Sequence, residues 1–184
     1  AVMGCSMPQG TQGKNMARQC ALAGGLAVTT PGMTVDRQCS SGMMAIATVA
    51  KSIMAGEIDI AVAGGVESVS LVQNSHMNMH RAIAPDLVAM HEHIYMPMID
   101  TAEVVAKRYG ISREAQDSYA LQSQQRYAKA VEAGHIAEEI APMAVTRNVI
   151  KKEKNPYEEA FTLELDECNR PSTTLDGLSS LTPV

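Results

Sequence analysis

The sequence has few aromatic residues: it contains no Trp, one Phe and five Tyr among 184 positions. A core built around large aromatic rings is therefore excluded. Hydrophobic residues still make up 46% of the chain, and Met alone accounts for 13 positions. We expect a core of Ala, Val, Leu, Ile and Met, which suits helices packed closely on strands with flexible thioethers filling the gaps.

The chain also lacks an excess of positive charge. Lys and Arg number 15 against 20 Asp and Glu, which gives a formal net charge of −5. Without a basic stripe or a platform of aromatic and Arg side chains, a nucleic-acid partner is disfavoured. No apolar stretch reaches the roughly 20 residues of a membrane-spanning helix, so no membrane span is expected.

Cysteine is scarce, with four residues at positions 5, 20, 39 and 168. Their spacing matches neither a zinc site nor a redox motif, and so Cys-poor a chain is not expected to form a disulfide framework. A reducing compartment is favoured, and we predict the cytoplasm, with mitochondria and peroxisomes as alternatives. Because the chain starts without an initiator Met or a targeting segment, we expect it to be a piece of a longer protein.

The histidines form two close pairs, but neither pair has a clear third ligand. His76 and His80 have the spacing of one helix face, and His91 and His93 have the spacing of one strand face. No carboxylate or thiol is placed to complete a metal site with either pair. We therefore predict no metal site and expect this stretch to be a solvated, irregular loop.

The first 66 residues alternate strand-like and helix-like runs. Gly and Pro punctuate them, and a Gly-rich loop is predicted over 4–13. The predicted strands are a short one ending at Met3, then 33–36 and 58–63, and the predicted helices are 14–26 and 41–55. Strands and helices at this spacing predict βαβ units on a parallel sheet that is buried on both faces.

The pattern changes after Ser70, and we predict a domain boundary there, with one domain over 1–70 and another over 71–184. Residues 71–99 show no clear period. They are rich in Met, Pro and His, and we expect them to leave the sheet as a long excursion.

Two helices are predicted further along. The first begins at Asp100, where Asp-Thr-Ala-Glu has the spacing of a capping box, and ends at Tyr109. The second is capped by Ser112 and runs to Ala133. Residues 140–152 look β-like and then basic. The lysines in and after that stretch are expected to be solvated rather than to bind phosphate: Lys151, Lys152 and Lys154.

Cys39 stands where a short strand is predicted to turn into a helix. The next residues, Ser40, Ser41 and Gly42, are small enough to let a substrate carbonyl approach. The unpaired amides and dipole of a helix N-terminus favour an anion, so this place favours a thiolate. The amide of Cys39 is also placed to donate to a developing oxyanion. On local features alone, an unreactive buried Cys remains the commoner alternative.

Four ordered segments carry a family resemblance that covers essentially the whole chain: TVDRQCSSGMMAI (34–46), AGGVESVS (63–70), DTAEVVAKRYGISREAQDSYALQSQQRYAKAVEAGHIAEEIAPM (100–143) and RPSTTLDGLSSLTPV (170–184). The first resembles the active-site signature of thiolases, and the second resembles the Ala-Gly-Gly-x-Glu-x-Met-Ser motif that follows it. The third resembles the thiolase loop domain, and the fourth the stretch before the second half-domain of that family.

The resemblance implies an α/β fold of the thiolase type, layered α/β/α/β/α in the complete family. This chain would hold part of the N-terminal half-domain and an α-rich loop domain. The implied activity is acyl transfer between CoA thioesters, with Cys39 as the nucleophile that carries an acyl-thioester intermediate. Coenzyme A would be a substrate and product rather than a cofactor, and a homodimer or homotetramer is implied.

The same resemblance implies that the loop domain holds CoA. Arg170 matches an Arg that would pair with the adenosine or phosphate portion, and Met98 and Leu181 match apolar positions along the pantetheine path. There is one departure, because many short-chain thiolases have His-Met-Gly where this chain has Pro97-Met98-Ile99. Specificity for acetoacetyl-CoA is therefore not implied.

Three family motifs do not occur in this sequence: a Gly-His-Pro-x-Gly motif whose His activates the nucleophile, a Cys-x-Gly-Gly-Gly motif whose Cys moves a proton, and a motif whose Asn helps to form an oxyanion hole. Two alternatives follow. One is a β-ketoacyl synthase on the same fold, against which the run from Gln38 to Gly42 argues. The other is a catalytically incomplete fragment or assembly module, which the missing motifs favour.

Overall fold

The computed structural model describes residues 1–150 and 155–183. Its chain divides into two compact units, Ala1–Met90 and His91–Val184. The sequence had suggested a division after Ser70, twenty residues earlier in the chain. The prediction that the lysines at 151, 152 and 154 are solvated concerns positions outside the described residues.

The first unit is built on a parallel sheet of three short strands, β1 (Val2–Gly4), β2 (Met33–Val35) and β3 (Ala63–Gly65). The strand order is β2-β1-β3, so β1 lies in the middle. Val2 is paired with Met33 on one side and with Ala63 on the other. The predicted parallel sheet with βαβ connections is confirmed.

The third strand begins later than predicted. The sequence placed it over 58–63, whereas β3 covers Ala63–Gly65. Its partner β1 consists of Val2–Gly4, and the Val2 amide donates to the Val62 carbonyl, so only the end of the apolar run has a paired strand beside it. Hydrophobicity alone does not reveal the length of the neighbouring strand, which sets how much of a run forms a ladder.

Two helices connect the strands, α1 (Met16–Ala23) and α2 (Ser41–Met54). The Asn15 side chain caps α1 by accepting a hydrogen bond from the Arg18 amide, so the helix starts two residues later than predicted. It ends before Gly24-Gly25, three residues early, because glycine disfavours further helical turns. Helix α2 ends one residue earlier than predicted, and Gly56 then adopts a left-handed φ of +73°.

Small residues form the interior of the first unit. Ala17, Ala21 and Ala45 are buried, as is Val49. Because alanine side chains are short, α1 and α2 approach the sheet closely, as the composition had suggested.

The segment after β3 contains more helix than predicted. Helix α3 (Val69–Val72) is followed by α4 (Pro85–Met90) inside the stretch expected to be irregular. Proline fits the first turn of a helix because its missing N–H would have no partner there. A short 3-10 helix, Gly10–Gln12, also lies in the predicted Gly-rich loop.

The second unit contains α5 (Met98–Tyr109), α6 (Arg113–Glu132), a 3-10 helix (Ala137–Glu139), strands β4 (Met143–Val149) and β5 (Tyr157–Leu163), and α7 (Leu175–Ser179). Ser112 caps α6 as predicted, accepting from the Ala115 amide. Helix α5, however, begins at Met98 rather than after a capping box at Asp100, since the Thr101 amide donates to the Pro97 carbonyl. Strand β5, which pairs with β4 in antiparallel register, and helix α7 were not predicted.

Within the described residues, no helix is both long and apolar enough to cross a membrane. The same part of the chain holds no group of three or more His, Cys, Asp or Glu arranged to bind a metal ion. His76 and His80 lie in turns, where their amides donate to the side chains of Asn74 and Asn78, rather than on one helix face.

Candidate functional site

Cys39 lies in the tight turn between β2 and α2, and it is exposed. Gln38, just before it, has a left-handed φ of +49°. The Gln38 amide donates to the Asp36 carboxylate at 2.9 Å, which supports this sharp reversal of the chain. The turn therefore presents the thiol beside the first turn of α2, as the sequence led us to expect.

The two serines after Cys39 hold the turn together. The Ser41 hydroxyl accepts from the Arg37 amide at 2.8 Å and donates to the Gln38 carbonyl at 2.6 Å. The Ser40 hydroxyl donates to the Arg37 carbonyl at 3.0 Å. Since Ser41 is only 4% exposed, its bonds are shielded from water and keep the backbone on both sides of Cys39 in place.

Glycines set the position of α2 on the sheet. A Cβ added at Gly4 would lie 2.1 Å from the Ser41 carbonyl carbon, and one at Gly65 would lie 3.1 Å from the Gly42 Cα. The first turn of α2 therefore rests directly on the backbone ends of β1 and β3. Side chains at Gly4 and Gly65 would push it away, so the height of Cys39 above the sheet depends on these residues.

Glu67, just beyond β3, is the centre of a hydrogen-bond network. Its carboxylate accepts from the Ser6 amide at 2.7 Å, the Ser6 hydroxyl at 2.5 Å and the Gln12 side chain at 2.6 Å. Burial alone would raise the pKa of Glu67, but these hydrogen bonds outweigh it and hold the pKa below its ordinary value. The carboxylate is therefore held in its charged form, as an acceptor.

The other three cysteines have different environments. Cys5 is 1% exposed, and burial raises the pKa of its thiol. Cys20 is half-buried on α1. Cys168 is exposed, in the loop that follows β5. Cys5 and Cys20 are therefore less accessible than the exposed thiols of Cys39 and Cys168.

In the second unit, α6 holds the segment that contains Arg170. The Gln124 side-chain oxygen accepts from the Arg170 amide at 2.8 Å and from the Asn169 side chain at 2.7 Å. The Thr173 hydroxyl donates to the Arg170 carbonyl at 2.7 Å. The backbone of Arg170 is thus fixed from both sides, while its side chain is exposed.

Leu181 is held to α6 by an arginine. The Arg113 guanidinium forms an ion pair with Asp117 at 2.8 Å and donates to the carbonyls of Leu178 and Leu181 at 2.6 and 3.1 Å. The Leu181 side chain is 60% exposed. Met98, the first residue of α5, is 77% exposed. Side chains of α6 thus bond the segments of both Arg170 and Leu181, whereas Met98 belongs to α5.

Comparison with known proteins identifies the family of the chain. The family model described as "Thiolase, N-terminal domain" matches residues 1–184. The chain belongs to the thiolase family. It is 44% identical over 185 residues to the 3-ketoacyl-CoA thiolase of Bacillus subtilis (strain 168), with 100% of this chain and 46% of the relative covered.

Two further thiolases extend the comparison. The β-ketoadipyl-CoA thiolase of Pseudomonas aeruginosa is 38% identical over 196 residues, with 99% of this chain and 47% of the relative covered. The crystal structure of human mitochondrial 3-ketoacyl-CoA thiolase in complex with CoA matches with a TM-score of 0.76 and 33% identity, over 100% of this chain and 46% of that one. The chain thus spans about half the length of these thiolases, and the expected family and fold class are confirmed.

Three residues that organise this thiolase chain were not predicted from its sequence: Glu67, Gln124 and Arg113. Glu67 and Arg113 lie within segments that carry the family resemblance, but a motif gives no indication of which backbone groups a side chain will bond. Gln124 is one of several similar residues along α6, and only its contact with Asn169 and Arg170 distinguishes it.

Proposed function

We propose that this chain carries the acyl-accepting nucleophile of a thiolase and that Cys39 is that nucleophile. The observation that carries the proposal is the exposed thiol at the start of α2, in a turn that the buried Ser41 holds rigid. Family membership supports acyl transfer between CoA thioesters as the reaction.

In the degradative direction, the Cys39 thiolate attacks the 3-keto carbon of a 3-ketoacyl-CoA. The bond between C2 and C3 breaks, C2 takes a proton from the proton-moving Cys that the family resemblance implies, acetyl-CoA leaves, and the shortened acyl group remains on Cys39 as a thioester. The thiol of free CoA returns its proton to that Cys as it takes the acyl group, which releases the Cys39 thiolate. The Cys39 amide is the donor that we assign to the oxyanion in each tetrahedral intermediate. Claisen condensation of acetyl-CoA is the reverse sequence.

We propose that the second unit holds CoA. The exposed Arg170 side chain carries a charge suited to a phosphate or the adenosine portion, and Gln124 fixes its backbone. Met98 and Leu181 present exposed apolar side chains suited to pantetheine. The solved human thiolase in complex with CoA supports a CoA ligand for the family.

This chain by itself is proposed not to complete turnover. The His, second Cys and Asn motifs of the family do not occur in it, and it spans about half the length of its relatives. Helix α2 also exposes apolar side chains, with Met43 at 76%, Ile46 at 56% and Met54 at 85% exposure. A helix that is apolar on both sides is normally covered on both sides, which favours an incomplete module.

Acyl transfer on the natural full-length protein tests the proposal. Incubation with acetyl-CoA is expected to add one acetyl group to Cys39, detected by mass spectrometry of the intact protein and its peptides. Cys39→Ser should abolish both the adduct and the thiolysis of 3-ketoacyl-CoA, whereas Cys168→Ser, at another exposed thiol, should change neither. An acetyl group found on Cys168 instead, or full activity in Cys39→Ser, would refute the assignment.

We further propose a homodimer or homotetramer and a cytoplasmic location. Membership of the thiolase family supports the first, and the bacterial relatives support the second, while the human mitochondrial relative keeps an organelle as the alternative. Light scattering of the full-length protein and fractionation of the source cells test these two points.

A further inference from the structure

We propose that Glu67 is a positioning residue for Cys39, acting through the backbone beneath the first turn of α2. The inference rests on the proposed role of Cys39 as nucleophile. Glu67 follows β3 by two residues, and its carboxylate bonds the segment that follows β1. It thereby joins the two strand ends that support the start of α2.

The network is reciprocal, and the exposed Glu67 carboxylate in it contacts the buried Gln12. Gln12, 2% exposed, donates to Glu67 at 2.6 Å and to the Met7 carbonyl at 3.0 Å, while its side-chain oxygen accepts from the Ser68 amide. Glu67 in turn accepts from both the amide and the hydroxyl of Ser6. The segments after β1 and β3 are therefore linked by bonds in both directions, which restricts sliding of one past the other.

The link to Cys39 is steric. Gly4 lies two residues before Ser6, and Gly65 two residues before Glu67. Both glycines pack against the backbone of α2, where a Cβ would come within 2.1 Å of Ser41 or 3.1 Å of Gly42. A shift between β1 and β3 must therefore move the first turn of α2, and Cys39 with it.

A second connection reaches the other side of the turn. The Cys5 amide, between Gly4 and Ser6, donates to the Val35 carbonyl at 3.0 Å. Val35 is the last residue of β2 and precedes the turn that contains Cys39. The segment held by Glu67 thus contacts both the strand that enters the turn and the helix that leaves it.

The chemistry favours a carboxylate at position 67. Three donors from Ser6 and Gln12 converge on its two oxygens. An amide has one acceptor oxygen, and its NH₂ group would face a donor, so Gln at this position loses at least one bond. Since its hydrogen bonds hold the Glu67 pKa below its ordinary value, the carboxylate is a weak base, which agrees with a positioning role rather than proton transfer.

Comparing two reactions of Cys39 tests the proposal in the natural full-length protein. Acylation by acetyl-CoA needs the thiol and the Cys39 amide aligned on the carbonyl, whereas alkylation by iodoacetamide needs only an accessible thiolate. In Glu67→Gln we expect acylation of Cys39 to slow by about tenfold or more, because misplacement of a reacting group by about 1 Å costs up to about 100-fold. Alkylation of Cys39 should change by less than about threefold, since it makes no use of that alignment.

Two controls separate positioning from general loosening. Glu57→Gln makes the same charge change at an exposed residue in the turn after α2 and should leave both rates at the wild-type value. Far-UV circular dichroism under the assay conditions reports opening of the structure, and the spectrum of Glu67→Gln should match that of the wild type. A loss of helical signal, or an equal fall in both reactions of Cys39, would overturn the positioning role.

Ser6→Ala provides a milder version of the same test if Glu67→Gln does not fold. It removes the hydroxyl bond of 2.5 Å and keeps the carboxylate, so acylation should slow by a smaller factor. Wild-type acylation in every folded variant of Glu67 and Ser6 refutes the inference and leaves the role of Cys39 standing. Failure of the wild-type protein to acylate Cys39 instead refutes the proposed function.

Discussion

A single methyl group at Gly4 is expected to displace Cys39, the proposed nucleophile. In Gly4→Ala the new Cβ would stand 2.1 Å from the Ser41 carbonyl carbon and 2.3 Å from the Gly42 amide nitrogen. Both neighbours are backbone atoms, so no side chain can swing aside to relieve the contact. The first turn of α2 has to move away from β1.

The size of the effect follows from the geometry. An ordinary contact begins at 3.4 Å, so the start of the helix must retreat by about 1.3 Å. Overfilling of a packed site typically costs about 1–3 kcal/mol of stability. A displacement of about 1 Å at a reacting group costs about 100-fold in rate, so acylation of Cys39 should fall by about that factor.

A graded series of Gly→Ala variants makes the reasoning testable. At Gly64 an added Cβ would meet only the flexible end of Met3 at 3.7 Å, at Gly42 it would meet Gly65 at 3.5 Å, and at Gly65 it would meet Gly42 at 3.1 Å. Acylation rates are measured by quenched mass spectrometry. The rate should be highest in Gly64→Ala and successively lower in Gly42→Ala, Gly65→Ala and Gly4→Ala. Wild-type acylation and stability in Gly4→Ala would refute this account of how α2 is placed.

Two further predictions concern Gln124 and Glu67. Gln124→Ala removes the acceptor of the Arg170 amide and should weaken CoA binding by about 2- to 10-fold, measured by titration calorimetry, with Gln125→Ala as an exposed control on the same helix. Equal CoA affinity in both variants would contradict the proposed role of the Arg170 segment. Because the folded-state pKa of Glu67 is lowered from 4.5, its network stabilises the protein above that pH, and this contribution is lost as pH falls through the lower folded-state pKa. The gap in urea midpoint between wild type and Glu67→Gln should therefore be widest near neutral pH and narrow in acid, whereas a gap independent of pH would show that the Glu67 charge contributes nothing.

Local signals predicted single features of both units. The helix stop at Gly56 in the first unit and the Ser112 cap in the second were predicted correctly because each depends on one residue's own backbone preference or hydrogen bonding. The predicted start of β3 was wrong because the start depends on where β1 lies, 61 residues away along the chain. Strand β5 was missed because its exposed charged residues do not form a hydrophobic pattern. It is stabilised by pairing with β4, where Arg147 meets Glu159 and lies over the Phe161 ring.

The candidate site shows the same division between local chemistry and packing. Small neighbours and a predicted helix start singled out Cys39 in the sequence, and the resemblance of segment 34–46 to the thiolase signature then led to the hypothesis that it is the nucleophile. Glu67 could not be assigned a role, since its function depends on Ser6 and Gln12, which are more than 50 residues away in sequence. The thiol and the groups that hold it belong to separate motifs that only the fold brings together.

The two motifs are separate in sequence but depend on each other physically, because their backbones are in contact. Gly42 belongs to the motif around Cys39 and Gly65 to the motif around Glu67, and a Cβ on Gly65 would stand 3.1 Å from the Gly42 Cα. The second motif therefore needs a residue without a side chain where the first turn of α2 rests, and a carboxylate two residues later to hold that strand end against β1. A substitution in either motif should alter the same measurable quantity, the alignment of the Cys39 thiol and amide on an acyl carbonyl. Double variants of Gly65 and Glu67 should accordingly show non-additive losses in acylation rate, as residues that act on one structural element do.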